Sequence, residues 1–247
     1  MVTALAAPYL YERRLAHERS GRDLVLVLDA SGSMAESGFD TQMPQKRKFD
    51  VVKSIVADFI QKRFDDNIGL VIFGTFAFTA SPVTYDIKAL KQILEMVDVS
   101  IAGQNTAIGE GISQALRSLG FVHADKKVIV LLTDGRHNSG SVSLASAVEE
   151  ARMKRVKIYA IGIGKPGNYD SSLLKRVARE TGGEMFGATN AKELEAVYER
   201  IDSLEPSPLP SEDRVNRKPL YLFLVAIALL LLFVRMARGA LFAGGRW

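Results

Sequence analysis

The chain of 247 residues contains no cysteine. That excludes disulfide frameworks, thiolate metal sites and thiol-based catalysis, and leaves the redox compartment open. Histidine is scarce as well, with three in all. His17 lies in a polar amino-terminal stretch, His123 precedes a strand pattern, and His137 alone stands beside a loop where chemistry could occur. No phosphate-binding Walker pattern is present, because Lys165 lacks both the upstream glycine spacing and a following Ser or Thr. Residues Met1–Ser20 lack the apolar core of a signal peptide: Ala4–Ala7 is apolar, but Arg13, Arg14, Arg19 and two glutamates follow. The body of the chain also lacks an excess of either charge. Six basic residues (Arg214, Arg217, Lys218, Arg235, Arg238, Arg246) against Glu212 and Asp213 place the whole net charge of +4 in the tail. A balanced body has no concentrated basic face for phosphates, so no nucleic-acid partner is expected.

What is present is ordinary globular composition, 47% hydrophobic and 24% charged, enough for a sizeable core. From Leu220 to Val234 the sequence LYLFLVAIALLLLFV is continuously apolar apart from the Tyr221 hydroxyl. As a helix this run rises about 22 Å, short of the roughly 30 Å hydrocarbon core. A span over 219–238 is therefore predicted, taking in Pro219, Met236 and Ala237, with Arg235 and Arg238 snorkelling to the interface. Charge does not orient it, since Arg214, Arg217 and Lys218 on one side match Arg235, Arg238 and Arg246 on the other. The predicted organisation is an amino-terminal segment over 1–21, one folded domain over 22–203, a linker over 204–218, the membrane helix over 219–238 and a tail over 239–247. The linker contains Glu205-Pro-Ser-Pro-Leu-Pro-Ser, whose prolines favour an extended spacer.

Within 22–203, strand and helix patterns alternate. Leu24–Leu28 is a continuous apolar run between Asp23 and Asp29, as expected of a parallel strand buried on both faces. Ile68–Phe73, Val128–Leu132 and Val156–Ile163 read the same way, with shorter candidates at Phe76–Thr79 and Glu184–Phe186. Helical stripes start at Phe49, Ile87, Ile108, Leu173 and Leu194. The fold class is thus α/β, a doubly wound, mostly parallel sheet flanked by helices, plus the carboxyl-terminal membrane helix.

Ligands of doubly wound sheets bind beyond the carboxyl ends of the strands. Two such ends carry Asp29-Ala-Ser31-Gly-Ser33 and Thr133-Asp134-Gly135, and a loop between them carries Gly103-Gln-Asn-Thr106-Ala-Ile-Gly109. Taken alone, Thr106 reads as a helix-start residue and Asp134-Gly135 as a turn. Together they offer two carboxylates and three hydroxyls with oxygen as the only donor atom, which suits a hard divalent cation.

The pattern Asp-x-Ser-x-Ser, then a loop Thr, then strand-Thr-Asp-Gly resembles the von Willebrand factor type A domain with its metal-ion-dependent adhesion site. The resemblance implies Mg2+ or Mn2+ held by Asp29, Ser31, Ser33, Thr106 and Asp134. In it Ser31 and Ser33 bind directly, Thr106 directly or through water, and the two aspartates largely through water. The resemblance further implies that a partner protein's acidic residue completes the shell, and no enzymatic activity is expected of the domain. The segments Ile68–Gly74, Phe78–Asp86, Asn105–Ile112 and Leu131–Gly135 are similar to the bacterial aerotolerance-operon (Bat) membrane proteins. Those proteins usually carry one or two amino-terminal membrane helices besides a carboxyl-terminal one, and Met1–Ser20 supplies none, so the expectation is a single-pass protein of the bacterial cytoplasmic membrane. The likeness also implies a MoxR-type AAA+ ATPase and sister adhesion-site membrane proteins as partners, with the side of the membrane left open.

Two other functions compete. A metal-dependent hydrolase or phosphotransferase using Asp29 as nucleophile wants a second aspartate where Ser31 stands. An adaptor presenting clients to an AAA+ motor would use the same site as an adhesion module. Gly162-Ile-Gly-Lys-Pro-Gly167 spells the dinucleotide-binding pattern, but Pro166-Gly167-Asn168 is turn chemistry and the next helical stripe begins too late to meet a pyrophosphate.

Overall fold

Six strands form the sheet: β1 (Asp23–Asp29), β2 (Asn67–Phe73), β3 (Ala77–Thr84), β4 (Lys127–Thr133), β5 (Lys157–Ile163) and β6 (Met185–Ala188), in the spatial order β3-β2-β1-β4-β5-β6. The computed structural model describes residues 22–63, 66–122 and 126–205, and the short stretches 9–10, 218–219, 225–226 and 229–230. Strands β1 and β2 are buried along their whole length, as runs of Leu, Val and Ile must be when helices cover both faces. All neighbours are parallel except β3, which runs antiparallel to β2.

The helices are α1 (Lys48–Gln61), α2 (Ile87–Met96), α3 (Ile108–Leu119), α4 (Leu144–Met153), α5 (Ser171–Glu180) and α6 (Ala191–Leu204). Alternation along β1 divides them into two layers. Leu24, Leu26 and Leu28 pack with Phe49, Val52 and Val56 of α1, Leu90 of α2 and Leu194 of α6. Val25 and Val27 face the other way, toward Ile108 and Ile112 of α3, Val148 of α4 and Val177 of α5. Each such side chain contributes about 1.5–3 kcal/mol by leaving water. Asp86, Asp170 and Asn190 cap α2, α5 and α6 by accepting from the amide three residues on.

The structure departs from the sequence reading in two elements. The Phe76–Thr79 candidate is the start of an eight-residue edge strand. A tight turn after β2 leads into it instead of a helical crossover, and its edge position tolerates Pro82 because one side needs no partner. Helix α4 has no counterpart among the expected stripes. Its buried face is Leu144, Ala147, Val148 and Ala151, and alanines print a weak apolar signal.

By contact density the chain divides into a unit of residues 19–210 and one of residues 1–18 with 211–247. In the second, Tyr9–Leu10 pairs antiparallel with Lys218–Pro219. Most of the expected membrane span over 219–238 and most of the 204–218 linker lie outside the described residues. Among the described residues no helix is long and apolar enough to cross a membrane.

Candidate metal centre

β1 and β4 are adjacent and in register, Leu28 beside Leu132, so their carboxyl ends deliver Asp29 and Asp134 to the same edge. Asp29 is fully buried. Its Oδ1 accepts from the Ser31 amide at 2.9 Å and its Oδ2 from Thr133 Oγ1 at 2.5 Å. The first bond folds the chain back on itself, and a 3-10 turn, Gly32–Ala35, follows at once. Ser31 Oγ and Ser33 Oγ come within 3.2 Å, and Ser33 Oγ donates to Asp134 Oδ1 at 2.6 Å.

Thr106 arrives from the loop before α3 and is 4% exposed. The cap position of α3 belongs to Ala107, so Thr106 does not start the helix. Its amide donates to Asn138 Oδ1 at 2.9 Å and its carbonyl accepts from the Asn138 amide at 3.1 Å. Gly135 leaves room for its hydroxyl, since a β-carbon there would stand 2.8 Å from Thr106 Oγ1. Gly32 donates its amide to the Gln104 carbonyl at 3.1 Å, joining the Thr106 loop to the serine loop. Ser33, Thr106 and Asp134 line a cavity of about 380 Å³ together with Lys48, Arg136 and Asn168.

Burial, followed by the negative charge of Asp134, pushes the Asp29 carboxyl up to about 6, against the hydrogen bonds from Ser31 and Thr133 that pull it down. Two carboxylates held this close in a desolvated pocket favour a bound cation. The donor set is oxygen throughout, as Mg2+ and Mn2+ prefer, so the residues fit the ion that the sequence implies. Among the described residues no group of three or more His, Cys, Asp or Glu is placed to hold a metal. The neighbours of the two carboxylates are hydroxyls instead, Thr133 on Asp29 and Ser33 on Asp134.

Sequence reasoning missed Lys48 and Asn138, and named Thr133 without its bond to Asp29. Lys48 sits at the head of an apolar stripe and Asn138 in a polar loop, so neither carries a local signal, whereas Thr133 was legible as part of Thr-Asp-Gly. His137, the histidine placed beside this loop, is half-buried and does not line the cavity. The glycine pattern begins on the last two residues of β5 and runs into a loop: Gly164 and Gly167 have φ of +102° and +105°, and α5 starts only at Ser171 behind the Asp170 cap. That loop closes one side of the site, its Gly167 carbonyl accepting from Arg136 Nη2 at 3.0 Å.

The family model described as von Willebrand factor type A domain matches residues 23–200. An uncharacterized protein of Borreliella burgdorferi is 30% identical over 254 residues, spanning 95% of this chain and 73% of the relative. The crystal structure of the conserved hypothetical protein BatB from Bacteroides thetaiotaomicron shares the fold at 24% identity and a TM-score of 0.61, over 74% of this chain and 98% of that one. The mussel byssus proximal thread matrix protein 1, solved with zinc in its MIDAS motif, is 25% identical with a TM-score of 0.61, over 74% of this chain and 45% of that one.

Proposed function

The chain belongs to the von Willebrand factor type A domain family, and on that premise we propose that it is a non-enzymatic, membrane-anchored interaction module. Its adhesion site takes Mg2+ or Mn2+ on Asp29, Ser31, Ser33, Thr106 and Asp134. One observation carries this reading: three separate segments bring two carboxylates and three hydroxyls to one sheet edge, with Asp29 buried beside Asp134. When bound, the ion supplies a concentrated positive charge to which an acidic side chain of a partner protein adds an oxygen.

The chain's own groups do the positioning. Asp29 holds the serine turn through the Ser31 amide, Asp134 orients the Ser33 hydroxyl, and Asn138 fixes the Thr106 backbone from both sides. A nucleophilic role for Asp29 finds little support, because the side chain is fully buried and both oxygens already accept hydrogen bonds. The likeness to Bat proteins suggests a MoxR-type AAA+ ATPase and sister adhesion-site proteins as partners. The apolar run Leu220–Val234 supports anchoring in the bacterial cytoplasmic membrane.

Calorimetric titration of the full chain with Mg2+ and with Mn2+ tests the site. Binding is expected in the wild type and lost in Asp29→Ala. Equal affinity in both proteins would remove the proposal.

A further inference from the structure

Lys48 is the first residue of α1 and is only 5% exposed. Both facts run against it, because burial strips an ammonium of water and the amino end of a helix already carries partial positive charge. The offset comes from the site. Lys48 Nζ donates to Asp134 Oδ2 at 2.5 Å, to Glu36 Oε2 at 3.2 Å and to the Ser33 carbonyl at 3.4 Å. Asp134 is therefore shared, Oδ1 with the Ser33 hydroxyl and Oδ2 with Lys48. The backbone locks the lysine in place: the Lys48 amide donates to the Glu36 carbonyl at 2.7 Å, and Ser37 bridges Arg47.

The charges of the site then have an unusual balance. With Asp29 and Asp134 ionised, Lys48 leaves one net negative charge. Glu36 and Arg136, both exposed on the same cavity wall, cancel. A doubly charged ion turns the site to one net positive charge, and one carboxylate from outside restores neutrality. In the absence of Lys48 the ion alone would neutralise the pocket, and the loaded site would draw a partner anion less strongly.

We infer that Lys48 is a built-in counter-cation of the adhesion site, which weakens the free site's hold on a divalent ion and makes the loaded site demand a partner carboxylate. The inference rests on the metal-binding reading above. It names Lys48 as the residue that couples ion loading to capture of an acidic partner, and a packing lysine would have no such effect.

The test compares wild type, Lys48→Met and Lys48→Arg as full chains. Mn2+ affinity is measured by calorimetry, and acetate, the smallest carboxylate probe, is followed by paramagnetic broadening of its methyl resonance on the loaded protein. Lys48→Met is expected to bind Mn2+ about tenfold more tightly or better, and to hold acetate about tenfold more weakly or worse. Lys48→Arg, which keeps the charge, is expected to stay near the wild type in both. If Lys48→Met melts too low to titrate, Lys48→Gln replaces it with the same expectations. Unchanged or weaker Mn2+ affinity in the neutral variant, or unchanged acetate binding, overturns the inference while wild-type Mn2+ binding lost in Asp29→Ala keeps the site itself. Absence of Mn2+ binding in every protein overturns both.

Discussion

Thr106 shows how a side chain without a local signal for its role acquires one. Alone it reads as a helix start, yet the residue before the α3 cap is held by Asn138, whose side chain accepts from its amide while its backbone amide donates to its carbonyl. Removing the Asn138 side chain leaves the Thr106 amide without that acceptor, at a cost of about 1–3 kcal/mol for a buried donor. Asn138→Ala is accordingly expected to lower the melting temperature and to weaken Mn2+ binding several-fold through a less well-placed Thr106. Thermal melts and calorimetry on the same preparation check both. Binding equal to the wild type would show that the backbone bond from the Asn138 amide suffices. The oxygen-bearing residues after β1 and β4 were legible because a place at a strand end is a local feature, and Thr106 joined them only through the family resemblance. Asn138 was not legible, since its role depends on a loop 32 residues away.

At the opposite end of the sheet, the connection from α1 to β2 is pinned by ions. Asp66 accepts from Arg22 Nε at 3.1 Å and Nη2 at 2.7 Å, and from Arg63 Nη1 at 2.8 Å. Arg22 precedes β1, Arg63 follows α1 and Asp66 precedes β2, so one carboxylate joins three elements. Burial works to raise the Asp66 carboxyl, but the two guanidiniums outweigh it and hold the group below its ordinary value of 3.8. A carboxylate lowered in the folded state contributes stability above that ordinary value and loses it as pH falls through the lower folded one. Wild-type stability is therefore expected to drop below about pH 4. Asp66→Asn should flatten this acid limb while costing about 3–5 kcal/mol at neutral pH, because buried Arg22 loses its Asp66 partner and buried Arg63 keeps only the exposed Asp202. Urea unfolding across pH measures both effects. The same elements mark the limits of pattern reading. Apolar runs declared β1, β2, β4 and β5, whereas α4 hid behind alanines and β3 was underestimated because a part-buried edge strand offers no continuous apolar run and contains Pro82.

For the chain as a whole, the folded unit presents its oxygen cluster at one sheet edge, and the tail carries the membrane signal. Deletion of residues 219–238 is expected to move the protein from the membrane fraction to the soluble fraction, checked by carbonate extraction and sedimentation. Retention in the membrane after deletion would refute the anchor. Alternation of buried strands and amphipathic helices, and the oxygen-only chemistry of the site, were contained in the residue order, because double-sided burial and strand-end motifs leave local prints. The partner of Asp134 was not. Lys48 lies 86 residues away along the chain, on a helix whose first residue would ordinarily turn to solvent. Packing of α1 against the sheet brings its ammonium to that carboxylate, and electrostatic contacts formed across such separations have no periodicity to betray them.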